Sequence, residues 1–288
     1  MLRSLIISAA LVLGTSATPK QAKVKPAIAN NSSRPVVSVN APSPNFDSQA
    51  EQQLLQLANE ARKRAGAPVL HPDEGLTKAA RSHAEVMARQ GQLSHQFDGE
   101  PSLPSRLASN STLRLDHAGE NVALDITPQK AHQHLMLSPP HRENLLDASF
   151  NVAGFGVIRL GERLYVVQDF GHSLPPYTAD QTEEAIVAAV ARARRAEHLP
   201  ALARKTESEL RSAVCSMAEQ DRLATTAMRR VAQHYNIVSY TNLHPEVLPA
   251  SAVRLIGEQR FSNMAVNVCY GRTGTYPSGV YWVGLAFY

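Results

Sequence analysis

The chain has 288 residues, of which 43% are hydrophobic and only 6% aromatic, enough apolar material for one large or two ordinary domains with mainly aliphatic cores. The formal net charge of +4 comes from 29 basic and 25 acidic residues that are scattered along the chain. Without a dense run of Lys and Arg or interleaved aromatic residues, the sequence does not support nucleic acid as a partner.

The first residues have the pattern of a secretory signal peptide. A basic start at Arg3 precedes an apolar run from Leu5 to Leu13 and a small-residue cleavage signal. We therefore expect a signal peptide at residues 1–17 and a secreted or periplasmic mature protein. That mature protein should have no transmembrane segment, because the apolar run is much shorter than the roughly 20 residues that cross a bilayer. Residues 18–48, rich in Pro, Ser, Asn and Lys, are predicted to form a disordered linker.

From residue 50 onward, apolar residues recur at helical spacing. The pattern predicts a first helix that ends at Gly66 and a second helix over residues 73–90. His83 lies on the apolar face of the second helix, so we expect a buried, hydrogen-bonded histidine there rather than a ligand. The stretch 93–115, rich in Ser, Pro, Gly and Asn, is predicted to be a long irregular loop.

The next elements are marked by helix-start and turn signals. A helix should begin at Thr127-Pro128, and another in the sequence SPPHRENLLD, residues 138–147. Two strands, residues 152–160 and 163–170, are separated by Gly161-Glu162, which suits a two-residue hairpin turn.

Beyond a linker at about residues 171–180, the order of elements partly recurs. The sequence predicts a helix over 183–195, a long helical stretch that ends at about Tyr235, and a terminal pair of strands, residues 261–271 and 279–288. This order suggests a shortened, degenerate second copy of the first unit. Two unrelated α+β units are the alternative.

The chain contains two cysteines, Cys215 and Cys269. An exported protein can hold a disulfide, and this pair would close a loop of about 55 residues, a link worth about 4 kcal/mol in the chain-entropy model. Two buried free thiols are the alternative.

Eleven histidines in an exported protein suggest a metal site, so their spacing matters. His132 and His134 lie two residues apart on a predicted helix, hence on different faces, and cannot chelate one ion together. The groups that could converge at one rim of the fold lie in or beside predicted turns. They are His95, His117, Glu120 and His141.

His141 follows two prolines at a predicted helix start, for which Ser138 is the expected N-cap. The positive end of a helix lowers the pKa of an imidazole and favours its neutral, metal-binding form. The same position also suits a histidine that only caps the helix. The sequence contains neither H-E-x-x-H nor G-x-S-x-G, so a standard metalloprotease or α/β-hydrolase is not indicated.

Six ordered motifs resemble the bacterial branch of the CAP superfamily, which comprises the cysteine-rich secretory, antigen 5 and pathogenesis-related proteins. They are LANEARKRAGAPVL, AARSHAEVMA, LSH, AGENVAL, SPPHRENLLDASFNVAGFGV and LYVVQDF. The resemblance implies an α+β fold, a three-layer α-β-α sandwich with a cleft that carries two histidines and two acidic residues. We expect this CAP domain at residues 49–172, followed by a smaller α+β region at residues 177–288.

The same motifs assign the cleft residues of this chain. His95 in LSH corresponds to the first histidine, Glu120 in GEN to the first acid, and His141 in SPPHRENLL to the second histidine. The position of the second acid holds Gln133, whose amide cannot act as a general base. The resemblance implies that a divalent metal such as zinc, if bound, is held by His95 and His141.

The resulting prediction is an exported, non-enzymatic binding module. Its His/Glu cleft would hold a divalent metal and an extracellular or cell-envelope ligand such as a peptide, lipid or sterol. One alternative is a metal-dependent hydrolase of peptide or cell-envelope substrates, with Glu120 as the candidate catalytic base. The other is a structural or interaction protein with a vestigial cleft.

Overall fold

A computed structural model of the protein describes residues 46–288, which belong to one compact unit. The predicted signal peptide and residues 18–45 of the predicted linker lie outside the described residues. Phe46 and Asp47, near the end of that linker, are part of the fold. Phe46 forms a β-bridge with Ile158, and the Asp47 carboxylate accepts a hydrogen bond from the Ala50 amide at the start of the first helix. None of the described helices is long and apolar enough to cross a membrane.

The N-terminal region, residues 46–174, contains five helices and four strands. In chain order they are α1 (Ser48–Ala65), β1 (His71–Pro72), α2 (Glu74–Gln90), α3 (Leu103–Asn110), β2 (Arg114–Asp125), α4 (Pro128–Leu137), α5 (Pro139–Leu146), β3 (Val152–Leu160) and β4 (Arg163–Leu174). The strands form one sheet in the order β1-β3-β4-β2, in which only β1 and β3 run parallel. This sheet carries the predicted hairpin, with Gly161 in the left-handed conformation at φ 60°.

Two apolar cores lie on opposite faces of this sheet. One joins the sheet to α1, α4 and α5, and the other joins it to α2. Gly154 and Gly156 of β3 allow close contact with α2, because a Cβ at either position would overlap the backbone of Thr77 or Arg81. The predicted α-β-α sandwich is therefore confirmed.

Helix α3 lies inside the stretch that the sequence predicts to be a loop, so that prediction is wrong. Proline in the first turn and serine before it are helix-start signals that a composition count treats as loop residues. The helix is stable in this context because two of its own side chains, Arg106 and Leu107, are buried.

The C-terminal region, residues 177–288, is a smaller α+β unit. Its elements are α6 (Ala179–Ala196), β5 (Ala203–Lys205), α7 (Ser208–Glu219), α8 (Thr226–Val231), β6 (Asn236–Asn242), α9 (Ala250–Ile256), β7 (Asn263–Gly271) and β8 (Val280–Phe287). The long helix predicted to end near Tyr235 is interrupted, since Asp221 takes a left-handed conformation at φ 51° and accepts hydrogen bonds from Thr273 and Thr275.

The second sheet repeats the topology of the first. Its order is β5-β7-β8-β6, again with one parallel pair at the edge. Only α9 stands between β6 and β7, whereas α4 and α5 stand between β2 and β3. The region therefore has the architecture of a shortened second copy.

Two buried arginines strengthen this correspondence. Arg62 of α1 and Arg194 of α6 each donate hydrogen bonds to four backbone carbonyl groups. These acceptors lie at corresponding positions in the two regions. The acceptors are Pro68, Leu145, Asp147 and Phe150 for Arg62, and Pro200, Ile256, Glu258 and Phe261 for Arg194. Such a match in sequence spacing and in partners favours a second copy over two unrelated units.

Covalent and polar contacts complete the C-terminal region and its junction with the N-terminal region. Cys215 of α7 and Cys269 of β7 form a disulfide with a Cα–Cα distance of 5.2 Å. At the junction, the Asp116 carboxylate of β2 bonds His172 of β4 at 2.6 Å and His244 of the C-terminal region at 3.0 Å.

Candidate functional site

Three of the predicted cleft residues lie together. His95 follows α2, Glu120 lies in β2, and His141 lies in the first turn of α5. The Nδ1 atom of His95 is 2.9 Å from Oε1 of Glu120, and the ring centroids of His95 and His141 are 6.4 Å apart. The fold therefore brings two imidazoles and one carboxylate, separated by up to 46 residues in the sequence, into one cluster.

Two asparagines fix the helix that carries His141. The Asn121 side chain donates a hydrogen bond to the backbone carbonyl of His141 at 3.0 Å, and Asn144 donates one to the carbonyl of Glu120 at 3.1 Å. Ser138 stands at the N-cap position, but its hydroxyl makes no capping bond. The start of α5 is thus held against β2 by amide side chains rather than by the predicted serine cap.

The two histidines have opposite pKa shifts. The hydrogen bond that His95 donates to Glu120 raises the pKa of His95. Burial, followed by the charge on His95, lowers the pKa of His141. The predicted direction for His141 therefore agrees with the structure, although the main cause is burial. A neutral His141 imidazole has a lone pair free for a metal or a hydrogen-bond donor.

Glu120 is held on its other oxygen by Arg106, a residue whose role the sequence did not reveal. One terminal nitrogen of Arg106 pairs with Oε2 of Glu120, and the other donates to the Pro101 carbonyl at 3.1 Å and lies 3.6 Å from Oε1 of Glu100. The side chains of Arg106 and Glu120 are each only 4% exposed. The carboxylate of Glu120 is therefore engaged on both oxygens and shielded from solvent.

His83 of α2 contacts Glu100, the carboxylate that also lies near Arg106. Its Nδ1 atom is 2.6 Å from Oε1 of Glu100, and its Nε2 atom is 2.8 Å from the carbonyl oxygen of Ser94. The prediction of a buried, hydrogen-bonded histidine is confirmed. Because Ser94 and Glu100 stand on either side of His95 in the chain, His83 anchors the segment that presents His95.

Asp169 of β4 lies directly opposite Glu120 in the sheet. It is fully buried, and within residues 46–288 neither of its carboxyl oxygens has a hydrogen-bond partner. Burial, followed by the negative charge of Glu120, raises its pKa well above the ordinary value, a shift that favours the neutral acid form. The available signal was a lone acidic residue in the mainly apolar run LYVVQDF.

The remaining candidates lie elsewhere or take no part in the cluster. Gln133 is on the exposed side of α4, and His117 stacks on Phe150 with centroids 4.8 Å apart. His132 is buried whereas His134 is exposed, as expected for residues on different faces of one helix.

The cluster contains few side chains that could bind a metal. In the described part of the chain, no group of three or more His, Cys, Asp or Glu side chains is arranged to hold a metal ion. Two imidazoles remain, with ring centroids 6.4 Å apart. Zinc usually has three or four protein ligands, so these two histidines alone would form an open site in which water or a ligand fills the other positions.

Comparison with known proteins gives a family match for the region that holds this cluster. Residues 55–170 match the model of the Cysteine-rich secretory protein family, CAP. Two curated relatives come from Bacillus subtilis (strain 168). The uncharacterized protein YkwD is 30% identical over 119 residues, 41% of this chain and 46% of that protein. The uncharacterized membrane protein YlbC is 30% identical over 122 residues, 42% of this chain and 34% of that protein.

The chain therefore spans less than half the length of these two relatives. Among solved structures, it is similar to an extracellular protein containing a SCP domain from Bacillus anthracis str. Ames. That similarity has 28% identity and a TM-score of 0.40, and covers 44% of this chain and 41% of the other.

Proposed function

We propose that this chain, which carries a CAP domain at residues 55–170, is an exported binding module that holds a divalent metal such as zinc in its cleft. His95 and His141 would be the two protein ligands. Glu120 would orient His95 rather than bind the ion. When bound, the metal would supply a Lewis-acidic centre for a donor atom of an extracellular or cell-envelope ligand, such as a peptide, lipid or sterol.

The observation that carries this proposal is the hydrogen bond between His95 and Glu120. With Nδ1 of His95 turned to a carboxylate at 2.9 Å, the proton of the neutral ring resides on Nδ1 and the lone pair on Nε2 is free. Histidines that bind metals commonly have such a carboxylate behind them, which fixes both the tautomer and the ring orientation. The lowered pKa of His141, caused mainly by burial, supplies a second neutral imidazole.

The contacts of Glu120 favour binding over hydrolysis. A general base must reach the proton that it removes, either directly or through one water. Glu120 already receives Arg106 on one oxygen and His95 on the other, and its side chain is 4% exposed. The amide at Gln133 offers no replacement base.

Export is proposed on two independent features of the chain. The first is the leader-like sequence at residues 1–17. The second is the disulfide between Cys215 and Cys269, because disulfides persist in oxidising compartments. Mass spectrometry of the protein recovered from a secreting host tests this directly, since export predicts a chain that lacks its first 17 or so residues.

Calorimetric titration with zinc tests the proposed cleft. The full chain should bind about one equivalent, and the double variant His95→Ala, His141→Ala should lose that binding. The matched control is His172→Ala, His244→Ala, which removes the other histidine pair, at Asp116, and should leave zinc affinity unchanged. Equal binding by the cleft variant and the wild type would contradict the proposal and favour a vestigial cleft.

A further inference from the structure

Arg106 connects the buried charges of the N-terminal region to the exposed ring of His95. We propose that Arg106 is a positioning residue of the cleft, which fixes Glu120 so that His95 presents Nε2, and only Nε2, to a bound metal. This inference rests on the proposed function for its consequence, but the orientation of His95 can be measured without any metal.

The two carboxylate oxygens of Glu120 have different partners. Arg106 occupies Oε2, which leaves Oε1 as the acceptor for Nδ1 of His95. A carboxylate that is free to rotate could instead turn an oxygen toward an ion between the two imidazoles. Pairing with Arg106 thus determines both the orientation of the carboxylate and its role as a hydrogen-bond acceptor.

Arg106 is itself held in place by contacts with its neighbours. It projects from α3, donates to the Pro101 carbonyl and lies 3.6 Å from Glu100. Glu100 is in turn bonded to the fully buried His83 of α2 at 2.6 Å. The orientation of an imidazole that is 58% exposed is therefore imposed by side chains that are at least 93% buried.

Three carboxyl groups, Glu100, Glu120 and Asp169, lie close to the single guanidinium of Arg106. A buried carboxylate that loses an arginine partner becomes protonated or moves toward water. In either case Glu120 would no longer accept the Nδ1 proton of His95 in a fixed geometry, and the proton of the neutral ring would be free to occupy either nitrogen.

The experiment begins with nitrogen-15 NMR of the metal-free full chain, whose imidazole shifts report which ring nitrogen carries the proton. In the wild type, neutral His95 should be the Nδ1–H form alone. In Arg106→Lys, which keeps the charge but loses the planar fork, and in Arg106→Gln, His95 should become a mixture of both forms. Arg106→Lys keeps the test available if Arg106→Gln does not fold. The matched control is Arg194→Lys, an equally buried arginine of the C-terminal region that should leave His95 unchanged.

Zinc titration of the same proteins gives the second readout. Loss of the carboxylate that orients a metal-ligating histidine commonly weakens metal affinity by about 10–100-fold. Because both Arg106 variants release Glu120, we expect a loss of up to that size for them and none for Arg194→Lys. Folded Arg106 variants that keep the Nδ1–H form and wild-type zinc affinity would overturn the inference. If the tautomer changes as expected but no protein binds zinc, the positioning role is supported and the proposed metal function is refuted.

Discussion

The two regions of this protein share one frame but differ in what that frame buries. In the first sheet, Glu120 of β2 faces Asp169 of β4. Asp169 directly precedes Phe170 in β4, and Ala286 directly precedes Phe287 in β8. The corresponding pair of the second sheet is therefore Ile237 and Ala286. The same pair of positions therefore exists in both sheets, but only the N-terminal region has ionisable side chains there.

The neighbouring pair repeats the difference. Asn121 and Gln168, fully buried in the first sheet, correspond to Val238 and Leu285 in the second. The C-terminal region shows that the frame does not require these polar side chains. Since buried polar and charged groups cost free energy unless they are fully paired, their presence indicates a role specific to the N-terminal region. For Asn121 that role includes the hydrogen bond that holds the start of α5 against β2.

The largest expected effect comes from transferring a carboxyl group to the apolar copy. Ala286→Asp would bury an acid where the structure provides neither an arginine like Arg106 nor an opposing polar residue, and we expect it to lower the free energy of unfolding by about 3 kcal/mol or more at pH 7. Urea denaturation measures this loss. Part of it should be recovered near pH 3, where the acid is neutral, and Ala286→Asn serves as the uncharged control. An unaffected stability at pH 7 would mean that the two sheets do not differ as described.

A smaller effect is expected from neutralising the acid of the first copy. Because the pKa of Asp169 is raised, its contribution to stability is fully present below the unfolded pKa of about 4 and is lost as the pH rises toward the folded value. Asp169→Asn removes this dependence and keeps the shape. The variant should match the wild type near pH 3 and exceed its unfolding free energy by about 1–3 kcal/mol at pH 7. Parallel pH profiles for the two proteins would contradict this, because they would mean that folding leaves the pKa of Asp169 unchanged.

The smallest effect concerns the two cleft histidines. Proton NMR titration should give His95 a midpoint above the ordinary value of about 6.5 and His141 a midpoint below it. The raised pKa of His95 stabilises the folded state below that ordinary value, and this stability is lost as the pH rises through the folded pKa. Because His95 is largely exposed, the contribution should be below about 1 kcal/mol. Glu120→Gln should lower the His95 midpoint, and an unchanged midpoint would contradict the assigned hydrogen bond.

Sequence patterns predicted the frame well where periodicity and turn chemistry act locally. The helix that ends at Gly66 and the hairpin at Gly161 are set by left-handed glycines and apolar spacing. Helix α3 could not be predicted in the same way. Its stability depends on the burial of its own Arg106 side chain, a tertiary contact that leaves no period in the sequence.

The site was predictable only in part, for a similar reason. The ordered motifs identified His95, Glu120 and His141, and the fold brings them together. Arg106 and Glu100 lie in a stretch whose composition indicates a solvated loop, and their burial depends on contacts with His83 of α2 and Glu120 of β2. Charge pairing across distant segments has no signature in a single sequence.

The most direct test of the account is crystallographic. Crystals of the full chain soaked in zinc, measured at the zinc absorption edge, should show an anomalous peak between Nε2 of His95 and the ring of His141, with Glu120 still bonded to Nδ1. No peak should lie in the C-terminal sheet at Ile237 or Ala286. A peak only at Asp116, His172 and His244, or zinc bound directly by Glu120, would contradict the claim that the N-terminal cleft is a two-histidine site positioned by buried charges.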